Sequence, residues 1–183
     1  MSAVEALLLV LYKYKVALVM FPFDTAARLN PVSIRVSFWT QFVELAKQTQ
    51  SPVRSSTPSP YNWIGHPVGR SGFFLNSVWS TWNAETKSFG GELREHLSVS
   101  SSTAKANYEK LLAQKDELET ALREAGVAEE LQWHNPDNAQ QCRLFVRRDA
   151  DLENRDDWAS QQRWLLNRAE AFLQVFGPIV RAL

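Results

Sequence analysis

Basic and aromatic side chains alternate in Arg143-Leu144-Phe145-Val146-Arg147. On a strand, Arg143, Phe145 and Arg147 share one face, where guanidinium groups can hold phosphates and a ring can stack on a base. Upstream, Gly69-Arg70-Ser71-Gly72 sets an arginine fork and a hydroxyl between two glycines. A turn of that kind exposes backbone amides and suits a phosphate or carboxylate. Trp63, beside Asn62 in the stretch before this turn, is the tryptophan best placed to serve as a stacking surface. A second constellation joins Glu92, Arg94 and His96 on one strand face to Lys115, expected to point inward from a neighbouring helix. A carboxylate, an imidazole and an amine together could perform acid–base or Mg²⁺-assisted chemistry. Each feature also has a purely structural reading. Arg70 can cap a carbonyl, Lys115 can run its stem out of an apolar surrounding, and Phe145 can pack under the last helix. In that last case the arginines would meet the five acids of Asp149–Asp157.

Other chemistries find little support. His66, His96 and His134 are scattered and form no His-x-x-x-His pair, so no metal site is expected outside the Mg²⁺-dependent alternative. Cys142 is the single cysteine, which excludes an internal disulfide and a Cys-rich zinc site. It reads as a small buried hydrophobe rather than a nucleophile served by His134. Phosphate-loop and dinucleotide fingerprints are missing, and Gly69–Gly72 only grazes the serine-hydrolase elbow.

Twenty basic side chains balance twenty acidic ones in 183 residues, so a broad polyanion-coating surface is not expected. The balance is uneven along the chain, however. Residues 131–148 hold three basic groups against one acid, whereas residues 101–130 hold four against seven. A small local anion site is therefore compatible with the composition. Val4–Phe23 is mostly apolar, but Lys13 and Lys15 interrupt it, each costing roughly 2.5–3.5 kcal/mol at a bilayer centre. No membrane span or secretory signal is expected, and the default compartment is the cytoplasm.

These residues must be positioned by a small set of elements. Asn30-Pro31 opens a helix whose apolar stripe contains Phe38, Phe42 and Leu45, ending near Gln50. Ser51–Pro60, with three prolines and four serines, is a connector that cannot be helical. Strands are expected at Tyr61–Ile64, Gly72–Trp82 and Glu92–Leu97, the last two joined through Gly90-Gly91. A long helix follows over Thr103–Ala125, closed by Gly126. Leu131–His134 and Arg143–Arg148 add two strands around an Asn-Pro-Asp-Asn turn. A final helix runs from Trp158 to Phe176, with Gly177-Pro178 expected to stop it. The architecture is α+β: three main helices on a mostly antiparallel sheet, in the order helix, strands, helix, strands, helix. Residues 31–183 form this domain. Residues 1–30 form an apolar stub, with a candidate strand at Val16–Phe21.

Seven ordered strings carry a family resemblance: Phe38-Trp39-Thr40-Gln41-Phe42, Asn62-Trp63-Ile64, Gly69-Arg70-Ser71-Gly72-Phe73, Gln114-Lys115-Asp116-Glu117, Asp156-Asp157-Trp158, Trp164-Leu165-Leu166 and Phe176-Gly177-Pro178. Over about Val36 to Val180 the chain resembles the bacterial and archaeal Domain of Unknown Function 4268 family. The resemblance maps that family's recurrent polar positions onto Asn62, Arg70, Ser71, Lys115 and Arg143. It also implies a restriction or defence setting, in which a nuclease-like region often precedes this domain. Three expectations follow. The first is a non-catalytic recognition module that binds nucleic acid or a nucleotide phosphate through Asn62, Trp63, Arg70, Ser71, Lys115, Arg143, Phe145 and Arg147, with a nuclease-like protein as partner. The second is a divergent metal-dependent nuclease of restriction-endonuclease-like topology, using Glu92 and Lys115. The third is a protein-interaction or dimerisation domain.

Overall fold

Strands with strict two-residue alternation have one apolar face to bury, and that requirement organises this molecule. A computed structural model describes residues 31–183 except 84 and 85. The stub and its candidate strand lie outside the described residues, as does Asn30. Five strands, β1 (Trp63–Pro67), β2 (Phe73–Asn83), β3 (Ser88–Val99), β4 (Gln132–His134) and β5 (Cys142–Asp149), pair antiparallel in the order β1-β2-β3-β5-β4. Four helices accompany them: α1 (Pro31–Gln48), α2 (Ala104–Leu112), α3 (Lys115–Glu124) and α4 (Trp158–Ala182). The α+β class and element order agree with the sequence reading.

Register sorts the side chains into two faces. Leu75 pairs with Leu97, Leu97 with Leu144, and Trp79 with Leu93; all are buried. Against this face α1 lays Phe38, Trp39 and Phe42, and α4 brings Leu165, Ala169, Phe172 and Phe176, all inaccessible to solvent. The Phe38 ring stacks on Trp79 at 4.8 Å and meets Trp158 edge-on at 5.4 Å. Cys142 belongs to the same core, while His134 is registered with Arg143 on the other face, so the two form no dyad. Among the described residues, the helices contribute their packing to this one face of the sheet. Among the described residues, the opposite face is made by strand side chains and bordered by the Ser51–Pro60 connector and the Gly69-Arg70 turn.

Four local expectations are corrected. The helix expected over Thr103–Ala125 breaks at Ala113-Gln114, where the Gln114 amide bonds back to the Leu111 carbonyl and a new helix begins. Asp116 and Glu117 fall in the first turn of that new helix, where acidic side chains favour the positive end of the dipole. α4 runs past Gly177-Pro178 to Ala182 because buried Phe176 and Val180 anchor its final turns against the core. That burial offsets a mid-helix proline, worth about 3 kcal/mol. β2 ends at Asn83 and β3 begins at Ser88, with Lys87 just before it at φ 53°, so Gly90-Gly91 lies inside β3 and does not join the two strands. Lys115, finally, is not inward. It stands half-exposed at the start of α3 and pairs with Glu119 at 3.8 Å.

Gly91 has a different task from making a turn. It sits inside β3 at φ +80°, and a Cβ there would collide with the Ala150 carbonyl. Gly91→Ala is expected to destabilise the fold by about 2–3 kcal/mol through backbone strain and overpacking. Gly90→Ala, at a position with open space around it, should stay within about 0.5 kcal/mol. Urea denaturation of the two variants checks the contrast; equal midpoints would refute the close approach.

Candidate functional site

The open face assembles in rows read across the sheet. One row runs Trp63–Val78–Arg94–Arg147, the next Gly65–Asn76–His96–Phe145–Gln132, and the third Pro67–Phe74–Ser98–Arg143–His134. Alternation on β5 thus puts Leu144 and Val146 in the core and Arg143, Phe145 and Arg147 outside. Phe145 does not pack under α4, and the arginines do not turn to the acidic loop. Arg94 and Arg147 instead flank the Phe145 ring at 5.6 and 5.8 Å.

Between the β1 edge and the middle of this face lies an open cavity of about 1110 Å³. Among the described residues, its charged lining consists of Arg54, Arg70, Arg94 and Arg143, with no carboxylate. Trp63 and Phe74 supply exposed aromatic surface, and the Trp63 ring is stacked on Tyr61 at 5.7 Å. Asn62, Asn76 and Gln141 add amides to the wall. The Ser51–Pro60 connector borders the cavity because it bonds to the β1 edge: the Ser56 amide donates to the Gly65 carbonyl.

Electrostatics at this face are unusual for a protein interior. Burial pulls the Arg94 guanidinium below its ordinary value, Glu92 opposes that, and Arg143 and Arg147 push it further down. Like charges have therefore been gathered closely enough to repel one another. Glu92, almost wholly buried, answers part of that charge, at 3.4 Å from Arg94 and 3.9 Å from Arg147. His96 is held down to about 3, mainly by burial and then by Arg94 and Arg143, so it is neutral at physiological pH. Its Nε2 meets the Asn76 amide at 3.2 Å, while the buried Nδ1 has no hydrogen-bond partner. Neutral donors and permanent cations around a shaped hollow can accept an anion.

The expected site residues divide accordingly. Asn62, Trp63, Arg70 and Arg143 converge on the cavity. Phe145 and Arg147 lie on the same face beyond its wall. Ser71 is exposed in the turn outside the lining, and Lys115 belongs to the helical layer. Glu92 faces the other side of the sheet from that layer, so Glu92 and Lys115 do not come together. Among the described residues, no group of three or more His, Cys, Asp or Glu side chains is placed to hold a metal ion. Arg54, Phe74, Arg94 and His96 are cavity residues that the sequence reading did not assign to the site. Arg94 and His96 were recognisable as sharing a face with Glu92, but only the β3–β5 pairing brings that face beside Arg143. Arg54, in an aperiodic connector, left no signal.

The fold and face define an α+β protein whose antiparallel sheet is helix-covered on one side and presents a basic, aromatic hollow on the other. The family model described as Domain of unknown function (DUF4268) matches residues 34–180, and the chain belongs to that family. No curated protein and no solved structure matches it. Among the described residues, no helix is long and apolar enough to cross a membrane.

Proposed function

We propose that the open sheet face binds single-stranded nucleic acid, with phosphates on the arginines and an unpaired base on Trp63. The carrying observation is the cavity lined, among the described residues, by four arginines and no carboxylate, beside the exposed Trp63–Tyr61 pair. Guanidinium groups favour phosphate by geometry and by permanent charge, and a free aromatic face favours a base that is not in a duplex. In this reading the chain is a non-catalytic, cytoplasmic recognition module of a defence-like system, and cleavage belongs to a nuclease-like partner. A free nucleotide would use the same contacts with fewer phosphates and bind more weakly.

Fluorescence anisotropy of a labelled oligothymidine tests the reading. Binding should appear at low salt, weaken steeply as salt rises, and exceed that of the matching duplex. Trp63→Ala should lose roughly 1–3 kcal/mol, the worth of one stacked base, with little change in salt dependence. No binding at low salt would end the nucleic-acid reading.

A further inference from the structure

A chain of hydrogen bonds links the deepest acid of the core to the cavity wall. Ser77 Oγ lies 2.6 Å from Glu95 Oε2, His66 Nε2 lies 2.9 Å from Ser77 Oγ, and Ser55 Oγ lies 3.1 Å from His66 Nδ1. Glu95 and Ser77 are inaccessible to solvent and His66 is nearly so, whereas Ser55 is partly exposed and, with His66, lines the cavity. The other carboxyl oxygen, Glu95 Oε1, has no partner. A protonated Glu95 therefore has Ser77 Oγ as the place to direct its O–H.

Each link holds one proton, so the chain has two consistent arrangements. With Glu95 ionised, Ser77 donates to the carboxylate, His66 donates through Nε2–H to Ser77, and Ser55 donates to His66 Nδ1. The cavity then meets the Ser55 lone pairs. With Glu95 protonated, every donor reverses: Glu95 donates to Ser77, Ser77 to His66 Nε2, and His66 Nδ1–H to Ser55. The Ser55 O–H is then free to donate into the cavity.

We propose that the protonation state of Glu95 sets, through Ser77 and His66, whether Ser55 offers the cavity a hydrogen or a lone pair, and so whether it assists a bound phosphate. The coupling to phosphate rests on the nucleic-acid reading above; the relay itself does not. Besides Glu95, a backbone hydrogen bond with Arg54 bears on the chain, at His66. β5 places Val146 opposite Glu95, and α1 brings the Phe42 ring to 5.8 Å from His66. Titratable groups on the covering helices stand elsewhere: Glu44 and Arg163 are exposed, Glu170 is half-buried, Tyr108 reaches the core from α2, and Arg168 is paired with Glu129 at 2.9 Å. On the cavity side burial holds His66 in its neutral form, and a backbone hydrogen bond with Arg54 acts against that. Burial is the main reason Glu95 is raised to about 8, with the Ser77 bond acting the other way, so the reversal falls within an accessible pH range.

Two measurements on the full chain separate the relay from the ligand. The first is imidazole ¹⁵N NMR of His66 without ligand, from about pH 6 to about pH 10. The Nδ1–H tautomer should give way to Nε2–H as pH rises, in the wild type but not in Glu95→Gln or Ser77→Ala. The second is oligothymidine anisotropy at fixed ionic strength over the same range. Wild-type affinity should fall by about 3- to 10-fold, the worth of one hydrogen bond, and Ser55→Ala should be weak throughout with no such step. A His66 tautomer that stays fixed overturns the relay, whatever the oligonucleotide does. A switching tautomer with flat affinity overturns the coupling to the cavity. A switching tautomer with no oligonucleotide binding at any pH supports the relay and overturns the nucleic-acid reading.

Discussion

Glu95→Gln is expected to stabilise the protein by about 3 kcal/mol at pH 7. The folded chain keeps the Glu95 proton up to about pH 8, because burial penalises the carboxylate, whereas an unfolded glutamate releases it near 4.5. Across that window the unfolded state binds fewer protons, so stability falls as pH rises. At pH 7 the accumulated penalty spans about 2.5 pH units, or roughly 3 kcal/mol. A glutamine has no proton to lose and can still bond to Ser77. The histidines act in the opposite sense. His66 is lowered to about 4 and His96 to about 3 from an ordinary 6.5, both mainly by burial. The unfolded chain takes up these protons first on acidification, so their contribution is complete above about 6.5 and is lost as pH falls below it. Between 4.5 and 6.5 two histidines outweigh one glutamate, and above 6.5 Glu95 acts alone. Wild-type stability should therefore peak near pH 6.5, and Glu95→Gln should remove the alkaline decline while keeping the acid one. Urea midpoints at about pH 5.5, 6.5 and 8.5 report this directly. A variant no more stable than wild type at pH 7 would show that Glu95 is already ionised in the fold.

What could be read before folding, and what could not, follows from the range of the interactions involved. Alternation in Arg143–Arg148 is local, so the inward pair Leu144 and Val146 was legible, as was the stripe of Phe38 and Phe42. The side of the sheet that the described helices leave uncovered depends on where those helices go. Phe145 could not reveal it, since an aromatic on a strand suits either face. Lys115 misled for a related reason. In one unbroken helix it shares a stripe with Leu111, Leu118 and Leu122, and only the break at Gln114 lets it turn outward. Gly91 answers to Ala150, far along the chain, and no turn rule contains that contact. Arg70 and Arg143 stood out because their flanks were unusual. Arg94 and Arg54 join them only through strand pairing and the path of a proline-rich connector.

Replacing Arg70 and Arg143 together by alanine is expected to lower oligothymidine affinity on the order of 30- to 100-fold at low salt. Two charge-assisted contacts of about 1–1.5 kcal/mol each sum to about 2–3 kcal/mol. The slope of log affinity against log salt should shrink by about 1.4, since each neutralised phosphate on a single strand is worth about 0.7. This pair is the informative choice because neither arginine holds a buried acid. Among the described residues, Arg70 reaches the Val180 carbonyl at 3.4 Å and Arg143 bonds to Gln141 at 2.7 Å. Their loss should move stability by no more than about 1 kcal/mol. Arg94 lies deeper in the cavity but answers the charge of Glu92, whose side chain is 1% exposed. Removing Arg94 would take one cationic partner from that buried carboxylate, so a loss of stability would be mixed with any loss of binding. An unaltered slope in the Arg70–Arg143 double variant, with the fold intact, would mean that phosphates do not lie on these arginines. A lowered affinity with an unaltered slope would instead assign them to shaping the cavity around Trp63, because only a lost phosphate contact changes the number of counterions released.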